Sequence, residues 1–128
     1  MLLTDFYKID HTIPSDSGTV FHIKLNPDHV IYSGHFPGQP VLPGVCTLQI
    51  IKECAQQLIH KNLQYARISL CKFLRYIDPA QCNEIALNIS INEKDDGTFQ
   101  LLANGVSSDF DFIKIKAVMK IRCCLQSL

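Results

Sequence analysis

The sequence predicts an α+β domain in which a curved antiparallel sheet packs on one long central helix. Residues 45 to about 62 carry a helical apolar period, and residues 85–92 carry a strict alternation of period two. Turn signals at Asp96-Gly97 and Ser107-Ser108-Asp109 then divide the remaining chain into antiparallel neighbours. At 128 residues the chain has the usual size of one domain, so residues 1–128 are taken as a single unit.

Two short strands are expected first, over residues 6–13 and 19–25, separated by the turn signal Pro14-Ser15-Asp16-Ser17-Gly18. A Pro/Gly-rich stretch follows, over residues 26–44. In the helix, Gln49, Lys52, Glu53, Gln56 and His60 fall on one stripe, while Val45, Leu48, Ile51, Ala55, Leu58 and Ile59 cover the other side. Such a wide apolar arc suits a helix largely wrapped by other structure. A strand over 67–77 is closed by Asp78-Pro79. Next, Ile85, Leu87, Ile89 and Ile91 alternate with Ala86, Asn88, Ser90 and Asn92, followed by strands over 98–106 and 110–123. No internal repeat, linker or low-complexity segment interrupts the chain.

Composition excludes several classes of function. Lys plus Arg and Asp plus Glu are both 12, so the formal net charge is zero, against the basic face that a nucleic-acid binder needs. Apolar residues make up 47% and charged residues 19%, enough to build a core and too little charge for disorder. The apolar runs are too short to span a membrane. Met1-Leu2-Leu3-Thr4-Asp5 lacks the basic start of a signal peptide, so a cytoplasmic protein is expected. The six cysteines, 46, 54, 71, 82, 123 and 124, form neither a CxxC pair nor a zinc-type Cys/His cluster. Cys46, Cys54 and Cys71 lie in apolar segments and are expected to act as small hydrophobes.

The chemistry is concentrated in Gly34-His35-Phe36-Pro37-Gly38-Gln39-Pro40-Val41-Leu42-Pro43-Gly44-Val45. Its prolines and glycines make a stiff loop that permits unusual backbone angles. Pro43 sits where proline suits a helix start, and Gly44 lets a ligand approach the backbone closely. The N–H groups of the first helical turn, with the positive end of the helix dipole, favour a developing negative charge. Residue by residue, the string also reads as a rigid connection into a buried helix, with His35 a hydrogen-bonded loop residue.

As a whole, the string resembles the signature G-H-F-P-G-x-P-V-[ML]-P-G-V of the β-hydroxyacyl-[acyl carrier protein] dehydratase family, which has the hotdog fold. The resemblance continues more loosely through Lys72-Phe73-Leu74-Arg75 and Asp78-Pro79. It implies a homodimer, or a higher hotdog oligomer, with an acyl tunnel along the dimer interface past the helix N-terminus. Its catalytic histidine corresponds to His35. Gly44, with Val45 beside it, corresponds to the backbone that binds the thioester carbonyl, and Phe36, Pro37, Gly38 and Pro43 to the substrate loop. The implied reaction eliminates water from a 3-hydroxyacyl thioester to give the trans-2-enoyl thioester, as in fatty acid, polyketide or polyene synthesis. A histidine, with an ordinary pKa of about 6.5, exchanges protons at neutral pH, and a helix N-terminus supplies donors for an enolate-like oxygen. The substrate rides on the phosphopantetheine of acyl carrier protein or CoA, so no cofactor or metal of the protein's own is implied.

One position departs from the family. Its second catalytic group is a Glu or Asp fourteen residues after the histidine, and here that position is Gln49. An amide orients a hydroxyl or a water but does not exchange protons at neutral pH. Glu53 lies one turn later, where the family often has glutamine, and helical side chains lean toward the N-terminus. Two readings of Glu53 stand: a carboxylate reaching toward the position of Gln49, or a solvated or interface carboxylate paired with a lysine. His11, His22, His29 and His60 are read as structural, and Asp95-Asp96 as a turn. Lys114, Lys116, Lys120 and Arg122 share one face of the last strand, either merely solvated or a dock for an acidic acyl carrier protein. Three functions remain: a dehydratase with an altered acid; a non-catalytic or partner-dependent subunit of a heteromeric dehydratase; and a hotdog acyl thioesterase.

Overall fold

Helix α1 (Gly44–Ile59) packs on an antiparallel sheet of six strands in a computed structural model that describes residues 5–33 and 40–122. The strands are β1 (Tyr7–Ser15), β2 (Gly18–Leu25), β3 (Leu63–Phe73), β4 (Glu84–Glu93), β5 (Phe99–Ser107) and β6 (Phe110–Ile121). Their order across the sheet is β1-β2-β4-β5-β6-β3. The α+β architecture is the expected one. Strand β3, next after the helix in sequence, crosses to the far edge and pairs only with β6 among the described strands.

Several boundaries differ from the sequence reading, each for a local reason. Strand β1 runs on through Pro14 to Ser15, leaving Asp16 and Ser17 as the turn. Pro14 is tolerated there because β1 is an edge strand, where a missing N–H need not break a ladder. A 3-10 turn at Val30–Ser33 interrupts the stretch read as loop. Helix α1 stops at Ile59 rather than near 62, because His60 adopts the left-handed conformation (φ 58°, ψ 41°) and donates its N–H to Gln56 O. The Gln56 side chain then accepts the Leu63 N–H at 2.8 Å. The strand expected over 67–77 therefore starts at Leu63 and ends at Phe73, with Leu74 N–H still donating to Phe112 O of β6 at 2.8 Å. Beyond it, Ile77 O accepts the Leu42 N–H at 2.9 Å, tying this segment to the entry of the helix.

The core forms one cluster. Cys46, Thr47, Ile50, Ile51, Cys54 and Ala55 are the buried face of α1, against sheet residues such as Phe21, Leu87, Ile89, Leu101 and Ile113. Val45, expected on the apolar side, is 65% exposed, while Leu48, Leu58 and Ile59 are partly buried. The buried stripe is centred on Cys46, Ile50 and Cys54 at i, i+4 spacing, which places Val45 with Gln49 and Glu53 instead. Burial raises the Cys46 thiol and, with the Glu53 charge, pushes Cys54 up to about 12. Cys71 is only half-buried. Lys114, Lys116 and Lys120 are exposed, as expected of one sheet face. On the edge strand β3, Ile68, Leu70 and Phe73 are exposed. No helix among the described residues is long and apolar enough to cross a membrane.

Candidate active site

The entry of α1 is built by Pro43, which is the N-cap residue rather than the first helical one, with φ −65° and ψ 141°. Its carbonyl accepts the Cys46 N–H at 3.1 Å and the Thr47 N–H at 3.2 Å. The N–H groups of Gly44 and Val45 precede this first helical bond, at the positive end of the helix dipole. No acidic side chain stands in the first turn to neutralise it.

Beside this terminus lies an apolar cleft of about 590 Å³, walled by Leu42, Pro43, Gly44, Val45, Phe73 and Phe112. Phe73 packs closely over Gly44: a Cβ there would lie 2.8 Å from Phe73 Cζ. The Phe73 ring is 52% exposed and free to swing aside. The Gly44→Ala variant is therefore expected to fold with a nearly unchanged melting temperature while losing affinity for acyl ligands, because the displaced ring narrows the cleft. Thermal melts and ligand titration of the same preparation check this.

Gln49 and Glu53 lie one and two turns beyond the cleft-lining Val45 on the same face of the helix, and form a cluster of their own. Gln49 Nε2 donates to Glu53 Oε2 at 2.8 Å, and the Tyr7 hydroxyl donates to Glu53 Oε1 at 2.5 Å. Glu53 is half-buried, and among the described residues its partners are Gln49 and Tyr7 rather than a lysine. Its side chain does extend one turn back to Gln49, as the N-terminal lean of helical side chains allows. Burial first, then the hydrogen bond to Glu53 and its charge, raises the Tyr7 phenol well above its ordinary range, so it stays a neutral donor. Tyr7 had no signal in sequence: it stands 46 positions from Glu53, on a strand whose pattern marks only its packing.

His35, Phe36, Pro37 and Gly38 lie outside the described residues. Pro43, Gly44 and Val45 are brought together at the cleft, and Gln49 with Glu53 beside Tyr7. The other histidines are placed as follows. His29 Nδ1 accepts the Ile31 N–H at 3.1 Å and its ring meets Phe6 edge-on, a structural role. His60 caps α1. His11 and His22 stack across β1 and β2 with ring centroids 4.3 Å apart, and His11 also meets Asp10 at 2.8 Å. Strand pairing, invisible in the linear pattern, creates that contact. Asp95 and Asp96 stand in the turn as expected, with Asp96 accepting the Thr98 N–H. No group of three or more His, Cys, Asp or Glu among the described residues is placed to hold a metal ion.

Comparisons with known proteins agree with this architecture. The family model described as ApeI-like, ApeI dehydratase, matches residues 11–109. The chain is 27% identical over 127 residues to the 3-hydroxyacyl-[acyl-carrier-protein] dehydratase FabZ of Levilactobacillus brevis, covering 89% of this chain and 84% of that protein. The FabZ dehydratase of Ehrlichia ruminantium is 26% identical over 106 residues, covering 75% of this chain and 72% of that one. Among solved structures, the dehydratase heterocomplex ApeI:P from Xenorhabdus doucetiae superposes with a TM-score of 0.68 at 24% identity, covering 90% of this chain and 97% of that one. The HP0420 homologue from Helicobacter felis follows at TM-score 0.66 and 10% identity, covering 95% and 93%. These structures share the hotdog fold expected from the loop signature. With the family model spanning most of its length, the chain belongs to the ApeI-like dehydratase family.

Proposed function

We propose that this protein removes water from a 3-hydroxyacyl thioester carried on phosphopantetheine, giving the trans-2-enoyl thioester. The observation that carries this reading is the N-terminus of α1, with no acidic side chain in its first turn, beside an apolar cleft, within a family of dehydratases. In the proposed reaction the thioester carbonyl lies against the Gly44 and Val45 N–H groups, with the acyl chain in the cleft. His35 takes the α-proton, and its electron pair forms the Cα–Cβ double bond as the Cβ–O bond breaks. The His35 imidazolium returns that proton to the leaving hydroxide, which departs as water. Negative charge building on the carbonyl oxygen is stabilised by donors that need no reorganisation. The carrier supplies phosphopantetheine, so the protein contributes side chains and backbone alone.

The carrier is proposed to be an acidic acyl carrier protein docking on the outer sheet face. Lys72 stands directly across from Lys114, and Lys116 lies across from Leu70. Like charges facing each other destabilise a sheet by themselves, and none of these cations pairs with a carboxylate among the described residues. The exposed apolar edge of β3 suits a second hotdog chain, as a homodimer or a heteromer of the kind named for the Xenorhabdus protein. Gln49 is the observation favouring a heteromer, since a partner chain would then supply the missing carboxylate.

The test is an assay of the purified chain with 3-hydroxyacyl and saturated acyl thioesters, each on acyl carrier protein and on pantetheine. Dehydration is expected; hydrolysis of the saturated thioester would replace this reading with a thioesterase. Silence rescued by a second hotdog chain would establish the partner-dependent subunit. The Lys114→Glu/Lys116→Glu double variant is expected to raise KM about tenfold for the carrier-bound substrate at low salt, and to leave the pantetheine substrate unaffected.

A further inference from the structure

The cluster on the middle of α1 constrains one feature of the site that the reaction alone leaves open, namely which end of the Gln49 amide faces the substrate. A carboxylate only accepts hydrogen bonds, so the 2.8 Å contact with Glu53 Oε2 must come from the Gln49 NH₂ group and fixes the amide orientation. Glu53 is itself held from the other side by the Tyr7 hydroxyl on Oε1, a contact between β1 and α1 that anchors it. Both carboxylate oxygens are thereby engaged. Among the described residues nothing donates to Gln49 Oε1.

We propose that Tyr7 and Glu53 are positioning residues that lock the Gln49 amide with its nitrogen toward Glu53, leaving Oε1 as a fixed acceptor for the substrate's 3-hydroxyl. This rests on the dehydratase reading above and adds a specificity to it. A fixed acceptor welcomes a hydroxyl, which donates. It rejects a 3-oxo group, which brings only lone pairs and would face Oε1 without a proton between them. An unrestrained glutamine amide would turn over and serve either ligand, since its two ends are nearly equal in shape. The relay Tyr7 → Glu53 ← Gln49 thus converts an ambiguous side chain into a reader of oxidation state at the third carbon. In this arrangement Glu53 holds Gln49 in place and need not touch substrate.

Three acyl pantetheine amides, 3-hydroxy, 3-oxo and 3-deoxy, test this by calorimetric titration, since the amide link makes the α-proton too weakly acidic for turnover. The wild-type chain is expected to bind the 3-hydroxy ligand about tenfold tighter than the 3-oxo ligand. Glu53→Gln lets residue 53 donate as well as accept, so the Gln49 amide turns freely and the ratio falls toward one. Tyr7→Phe, which frees Glu53 without removing it, is expected to reduce the ratio partway. Binding of the 3-deoxy ligand should stay unchanged in both variants, which a merely structural role would not produce. An unchanged ratio in both variants, or equal weakening of all three ligands, overturns the relay while leaving the dehydratase reading intact. Failure of the wild-type chain to bind any of the three overturns that reading and the relay with it.

Discussion

The His35→Ala variant is expected to lose dehydration of a 3-hydroxyacyl thioester by about 10²–10⁴ or more. The size follows from how much rests on this one side chain. The family position that would supply a second proton-transfer group holds Gln49, which neither gives nor takes a proton at neutral pH. If His35 serves both proton transfers, removing it removes the base and the acid together. The fold should survive, because the described residues of α1 and the sheet already form one continuous core cluster. Circular dichroism and a melting curve beside the kinetic assay separate lost chemistry from lost structure. Full activity in a well-folded His35→Ala chain would remove the histidine from the mechanism.

Gln49→Glu is expected to act in the opposite direction and raise the dehydration rate at least about tenfold, within the range a general acid contributes. In place of an amide donating to Glu53 Oε2 at 2.8 Å, the variant sets two carboxyl groups against each other. Two such groups in contact do not both ionise, so the pair retains one proton at neutral pH. That proton is available to the departing hydroxide. The gain should fade as pH rises and the shared proton is lost. Stability should follow the same sign: the folded pair binds a proton more tightly than the unfolded chain, so it loses stability as pH rises through its own titration. A rate–pH profile and melting curves across the same range check both. A folded variant with no gain at any pH would place Gln49 away from the reacting hydroxyl.

The structure explains why some of this was legible in the chain and some was not. The single long helix, the alternating strand over 85–91 and the hairpin at Asp96-Gly97 rest on short-range periodicity and turn chemistry, which each segment carries within itself. The helix start was legible because Pro43 and Gly44 dictate backbone behaviour locally, although Pro43 proved to be the cap. The helix end was missed by about three residues because the left-handed turn at His60 has no glycine to announce it. That error displaced the expected bounds of the next strand. Val45 departs from the apolar side expected of it because a first-turn residue beside a cleft is exposed whatever its hydropathy.

By itself, then, the sequence determined the class of fold, the loop that carries the family signature, and the substitution of an amide at the position of the family's acid. Tertiary structure alone decided that β3 lies at the sheet edge beside β6, that Phe73 covers Gly44, and that Tyr7 reaches Glu53. It also holds Glu53 as a half-buried carboxylate between a phenol and an amide. The division has a physical cause. Turns, caps and periodic burial are set by interactions within a few residues, whereas strand order and side-chain contacts depend on pairings between distant segments. Those pairings close only when the whole sheet has formed around the helix.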